Sequence, residues 1–116
     1  MALLRVDPLD RFIGEKEFYR TFEETLHTFG WAASRFRAAR NVRGHYETPV
    51  ACDGEGWPDY FCVRPGEFFA AELKVGYNKP EPAQVLWAER MTAAGIEHHF
   101  WWPMDWPTIV QRLTRR

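Results

Sequence analysis

Four apolar residues recur along EKEFYRTFEETLHTFG at Phe18, Phe22, Leu26 and Phe29, spaced four, four and three apart. That spacing lays them in one stripe on a helix, which Gly30 ends. WAASRFR alternates in part and reads as a strand over about 31–37, while AARNVRGHYETPVACDGEG after it is loop-like. Loops of that length in compact domains are usually functional or mobile.

In GWPDYFCVRPGEFFAAELK, two alternating runs flank Pro65-Gly66, with proline and glycine at the central positions of a turn. Pro-Gly suits a type II turn, which two-residue hairpins disfavour, so a wider loop symmetric about the dipeptide is expected. The symmetry sets Arg64 against Glu67, Val63 against Phe68 and, carried outward, Asp59 against Glu72. Alternation then places Asp59, Phe61, Val63, Phe68, Ala70, Glu72 and Lys74 on one face, with Tyr60, Cys62, Phe69, Ala71, Leu73 and Val75 mainly on the other. Both faces are largely apolar, which predicts the middle of a sheet covered on both sides. AQVLWAERMTAAG, with prolines before it and Gly95 behind, predicts a second helix carrying Gln84, Trp87 and Met91 on one face. IEHHFWW predicts a fourth strand, and Asp105 is placed to cap a last helix that packs through Trp106, Ile109, Val110 and Leu113. The order is α-β-β-β-α-β-α, an α/β fold.

A chain of 116 residues, 46% hydrophobic and 16% aromatic with six tryptophans, is expected to form one domain over 1–116 with a single site. No apolar run is long enough for a signal peptide or a membrane span, so a cytoplasmic protein without membrane contact is expected. Cys52 and Cys62 form no CxxC pattern and are expected to stay reduced. Zinc on these cysteines with His98 and His99 is disfavoured, because adjacent residues of a strand point to opposite faces. The net charge is -1, yet residues 35–43 contain Arg35, Arg37, Arg40 and Arg43 and no acid. This segment reads either as a set of phosphate contacts or as a solvated basic loop.

The hairpin register brings two carboxylates together on a sheet that is otherwise apolar. Directly opposed residues have Cβ atoms within roughly 4.5–5.5 Å of each other, near enough to share one cation. Two such groups in a low dielectric repel, and an unpaired one is costly. Lys74 offers a salt bridge to one of them. A hard divalent ion, Mg²⁺ or Mn²⁺, is the alternative, since oxygen ligands with several retained waters describe such sites. With an ion on Asp59 and Glu72, Lys74 would orient or deprotonate an attacking water, or offset the charge of a phosphoryl transition state.

Pro58-Asp59, a short interval and Glu72-Leu73-Lys74 resemble the PD-(D/E)xK nuclease signature. With Gln84 and Trp87, Gly95 and WPMDWPTIVQRL, the chain is similar over about residues 15–113 to small stand-alone members of the virus-type replication-repair nuclease (VRR-NUC) family. The resemblance implies a restriction-endonuclease-like αβββαβ core with a mixed central sheet flanked by helices, followed by a C-terminal helix. It also implies a divalent-metal-dependent DNA endonuclease. Asp59 and Glu72 match the metal ligands, Lys74 the motif lysine and Gln84 the glutamine of the following helix, while the Leu73 backbone carbonyl matches a further ligand. Such nucleases commonly add a glutamate from the first helix; Glu15 aligns best and Glu17 second. Arg35 stands where the family usually has an aromatic residue or histidine. The expected substrate is structured or branched DNA, in the manner of a Holliday-junction resolvase, gripped by the arginines of 35–43. A homodimer is expected, with Trp57, Trp87, Trp101 and Trp102 read as core or as exposed candidates for its interface, and a phage or prophage origin fits the size. The rival expectation is a catalytically inactive DNA-binding or assembly module of the same fold, and a third is a nuclease acting on RNA.

Overall fold

The computed structural model describes residues 14–36 and 51–115, and the backbone alone of 39–40 and 46–47. The apolar stripe folds as expected into helix α1, Glu15–Thr28, which buries Phe18, Phe22 and Leu26. Full burial of Phe22 and Leu26 contributes about 2–3 kcal/mol each. Gly30, at φ 84°, turns the chain so that the Trp31 N–H reaches back to the Leu26 carbonyl at 2.9 Å.

The strands are β1, Ala32–Arg35; β2, Ala39–Arg40; β3, Tyr46–Glu47; β4, Tyr60–Arg64; β5, Glu67–Leu73; and β6, His98–Trp101. Two further helices follow the hairpin: α2, Pro82–Ala93, and α3, Trp106–Thr114. Strands β1, β4, β5 and β6 form a four-stranded sheet in that order. Pairing is antiparallel from β1 to β5 and parallel between β5 and β6, with α2 as the crossover that parallel pairing requires. The chain is thus an α/β protein with a mixed sheet and helices, and the hairpin strands are its two central strands. Within the segment read as a loop, β2 and β3 pair as a separate two-stranded ladder.

Tyr60, Cys62, Phe69, Ala71, Leu73 and Trp101 line one face and pack with Phe18, Phe22 and Leu26 of α1 and Ile109 and Leu113 of α3 in one core cluster. Among the described residues, no helix is long and apolar enough to cross a membrane. Both cysteines are free, and burial pushes the Cys62 thiol up to about 12. His99 stacks on Trp101 beside this core, whereas the His98 ring meets Phe100, the opposite placement that argues against a shared zinc.

Four expectations need correction. The hairpin loop is two residues wide, because Arg64 pairs directly with Glu67. Gly66 takes φ 81°, as a type II turn requires. The Arg64 guanidinium holds this tight turn in place: it bonds Glu67 Oε2 at 2.9 Å and the Phe29 and Leu113 carbonyls at 3.1 and 2.9 Å. The second face of the hairpin is covered only in part. Ala70 and Glu72 are fully buried, but Val63 is 45% and Phe68 47% exposed near the turn. None of the six tryptophans is exposed; the exposed large apolar side chains include Phe36, Val63 and Phe68 instead. Finally, the Asp105 carboxylate accepts from the Trp102 N–H at 2.8 Å and closes the 3₁₀ turn Pro103–Asp105, rather than capping α3 through its side chain.

Candidate metal centre

Strand pairing sets Arg64 against Glu67 and Tyr60 against Ala71, so the next step outward opposes Asp59 and Glu72, as the sequence symmetry predicts. The Asp59 N–H donates to Glu72 Oε1 at 3.1 Å. In return, Asp59 Oδ2 accepts from the Leu73 N–H at 3.3 Å and from the Tyr19 hydroxyl at 3.4 Å. Each carboxylate therefore spends one oxygen on holding the other strand or helix in place. Glu72 is fully buried, and its Oε2 has no partner among the described residues. The two side chains also hydrogen-bond each other, a contact that favours the charged form of Asp59 and the protonated form of Glu72.

Burial, reinforced by the charge of Asp59, pushes the Glu72 carboxyl up to about 8. Burial also raises Asp59, against hydrogen bonds from its neighbours that favour its charged form. The pair is short of positive charge. Lys74 lies near enough for its charge to favour ionisation of both acids, yet its ammonium group donates to Gln84 Oε1 at 2.9 Å and forms no ion pair with either. Two acids held side by side by protein donors, with one buried Glu72 oxygen left without a donor, suit a hard cation that keeps several waters. A cluster of three or more His, Cys, Asp or Glu able to hold a metal is absent among the described residues.

Gln84 serves two neighbours at once. The same Oε1 that meets Lys74 accepts from the Glu81 N–H at 2.9 Å, so the expected site residue also satisfies a helix-start donor. The approach to Asp59 is clamped on this turn of α2. Gly56, at φ 85°, lies so close that a Cβ there would stand 2.5 Å from the Ala83 backbone. Beyond it, Trp57 packs edge-to-face on Trp87 at 5.1 Å, and the Trp87 indole donates to the Asp53 carbonyl at 3.0 Å. Pro58, next in the chain, is fully buried. Only glycine allows the loop bearing Asp59 to come this close to the helix bearing Gln84.

Asp59, Glu72, Lys74, Gln84 and the Leu73 peptide are thus brought together. Glu15 is exposed, one turn before Tyr19, and its charge acts on the Tyr19 phenol. Glu17 is also exposed and sits about 200° further around the helix axis, so the border position belongs to Glu15. Arg35 pairs with Glu23 at 3.1 Å and lies 5.1 Å above the Tyr19 ring. It borders the site from β1 while committed to α1. Arg37, Arg43 and the side chain of Arg40 lie outside the described residues.

Sequence reasoning passed over Tyr19. Burial, then the charges of Asp59 and Glu15, push its phenol well up, so the hydroxyl remains a donor. The available signal was its place one turn after Glu15 and one residue off the apolar stripe, where a helix face meets the edge of its core. Comparison with known proteins finds no match to this chain, whether among protein-family models, curated proteins or solved structures.

Proposed function

We propose that this chain is a divalent-metal-dependent endodeoxyribonuclease of the VRR-NUC kind that hydrolyses phosphodiester bonds in structured or branched DNA. One observation carries the reading: fully buried Glu72 keeps an oxygen without a donor beside Asp59, while the adjacent lysine is turned to a neutral amide. Were Lys74 present only to neutralise the acids, it would be expected to touch one of them. The PD-(D/E)xK spacing and the order of helices and strands around the mixed sheet support the same reading, including a restriction-endonuclease-like core.

In this reading Asp59, Glu72 and the Leu73 carbonyl hold Mg²⁺ or Mn²⁺, and Glu15 adds a ligand from α1. When bound, such an ion stabilises charge on phosphate oxygens and makes water more acidic. Lys74 orients the attacking water or offsets negative charge at phosphorus. Gln84, anchored on the Glu81 N–H, keeps the ammonium group aimed. Arg35 and the basic segment after it grip the DNA backbone. Val63 and Phe68, paired across the hairpin and each close to half exposed, are the surface we assign to a homodimer, which would set two sites on opposite strands.

The test incubates nicked, flapped and four-way DNA with Mg²⁺, Mn²⁺ or EDTA, for wild type and Asp59→Ala. Metal-dependent cleavage by the wild type alone is expected. Cleavage that survives EDTA or the substitution removes the mechanism, and DNA retention without cleavage under every condition transfers the fold to a binding module.

A further inference from the structure

Asp59 is held by more than its own strand. Its Oδ2 accepts from the Leu73 N–H on the neighbouring strand and from the Tyr19 hydroxyl on α1. Tyr19 is itself fixed on several sides. Its ring meets Tyr60 edge-on at 5.8 Å and carries the Arg35 guanidinium 5.1 Å above it. Arg35 is tied to Glu23 at 3.1 Å, and Glu23 accepts from the Tyr60 hydroxyl at 2.6 Å. Tyr60 directly follows Asp59, so the chain of contacts closes on the residue it began from.

A carboxylate on a χ2 torsion rotates broadly unless something selects one orientation. The Leu73 donor alone fixes one point. A second donor from a different element, aimed at the same oxygen, selects one rotation of the carboxylate beside Glu72. We infer that Tyr19 is a positioning residue that holds the Asp59 carboxylate in the orientation that binds a divalent cation. Tyr19 touches neither substrate nor cation in this role; it acts through Asp59, as hydrogen-bonded partners behind metal ligands generally do. The inference rests on the metal-site reading above. It goes beyond that reading by naming a residue outside the PD-(D/E)xK motif, one whose removal weakens the grip on metal while leaving the acidic pair intact.

Tyr19→Phe deletes the hydroxyl and keeps the ring packing and the stacked arginine. Mn²⁺ binding to the DNA-free protein is measured by isothermal titration calorimetry for wild type, Tyr19→Phe and Asp59→Ala, and cleavage is measured across a metal titration. Because the hydrogen bond is long, Tyr19→Phe is expected to bind Mn²⁺ about five-fold more weakly. Its half-saturating metal concentration in cleavage should rise by a similar factor, with kcat at saturating metal within about two-fold of wild type. Wild-type Mn²⁺ affinity in Tyr19→Phe, with binding lost in Asp59→Ala, overturns the role of Tyr19 alone. Wild-type affinity in Asp59→Ala overturns the metal site itself. A fall in kcat that saturating metal does not restore also overturns the positioning role, because it would place Tyr19 in the chemistry.

Discussion

Glu72→Gln keeps the shape of the side chain and removes its charge, so it isolates what the buried acid costs the fold. In the unfolded chain Glu72 loses its proton near its ordinary value of 4.5, whereas in the metal-free fold the carboxyl holds it up to about 8. Between these limits the folded state binds one proton more than the unfolded state, and raising the pH therefore favours unfolding. The slope is roughly 1.4 kcal/mol per pH unit. Below the window both states are protonated and the penalty vanishes; above it the penalty is complete. Relaxation of the site and sharing of the proton with Asp59 reduce the total to roughly 2–4 kcal/mol. Urea unfolding in EDTA at pH 5, 6, 7 and 8 reads this directly. The wild-type midpoint should fall steadily, the Glu72→Gln midpoint should stay nearly level, and the variant should be the more stable protein at pH 8. Excess Mg²⁺ should restore wild-type stability most strongly at the alkaline end, where the metal has least competition from protons, and leave the variant unchanged. Parallel pH profiles for the two proteins would refute the reasoning, because Glu72 would then carry no charge tension for a metal to relieve.

Lys74→Ala should lower turnover on branched DNA by at least about a hundred-fold while Mn²⁺ affinity stays within a few-fold of wild type in calorimetry. Arg112→Ala removes a buried guanidinium that bonds Glu97 at 2.7 Å and Glu67 at 3.0 Å. It should destabilise the fold by about 2–4 kcal/mol in urea, with cleavage per folded molecule unchanged because these contacts lie at the turn end of the sheet.

How much of this was legible depended on whether the determining interaction was local. The α1 stripe, the hairpin register and the burial of Tyr60, Cys62, Phe69 and Leu73 follow from periodicities of 3.6 and 2 together with a Pro-Gly turn. The opposition of Asp59 and Glu72 followed from them, because register propagates along a hairpin without a bulge. The two-residue width of the turn was not legible, since it depends on Arg64 reaching the Phe29 and Leu113 carbonyls from distant parts of the chain. Tyr19 was missed for the same reason: its partner is 40 residues away in sequence. The half-open second face was misread because an apolar residue on a strand looks the same in sequence whether a helix or nothing covers it.

The two ends of the sheet show opposite treatments of charge, and the contrast bears on function. At the turn end, Arg64 and Arg112, both nearly buried, meet Glu67 and Glu97 through direct ion pairs, and both guanidinium groups also lie over the Trp31 ring. Buried charge there is matched by charge. At the other end, Asp59 and Glu72 stand together with no cationic side chain among the described residues in an ion pair with either, although Lys74 is one residue from Leu73 and its ammonium is held elsewhere. One other buried side-chain atom lacks a partner among the described residues, His98 Nε2, but burial lowers that imidazole to about 4, so it is neutral and inexpensive to leave unpaired. A carboxylate has no comparably cheap state at neutral pH except by taking up a proton or a cation. A fold that pairs its buried arginines so fully with half-buried glutamates has the means to pair Glu72 as well. That it instead holds the two acids together and leaves one Glu72 oxygen without a donor among the described residues fits the hard cation proposed above.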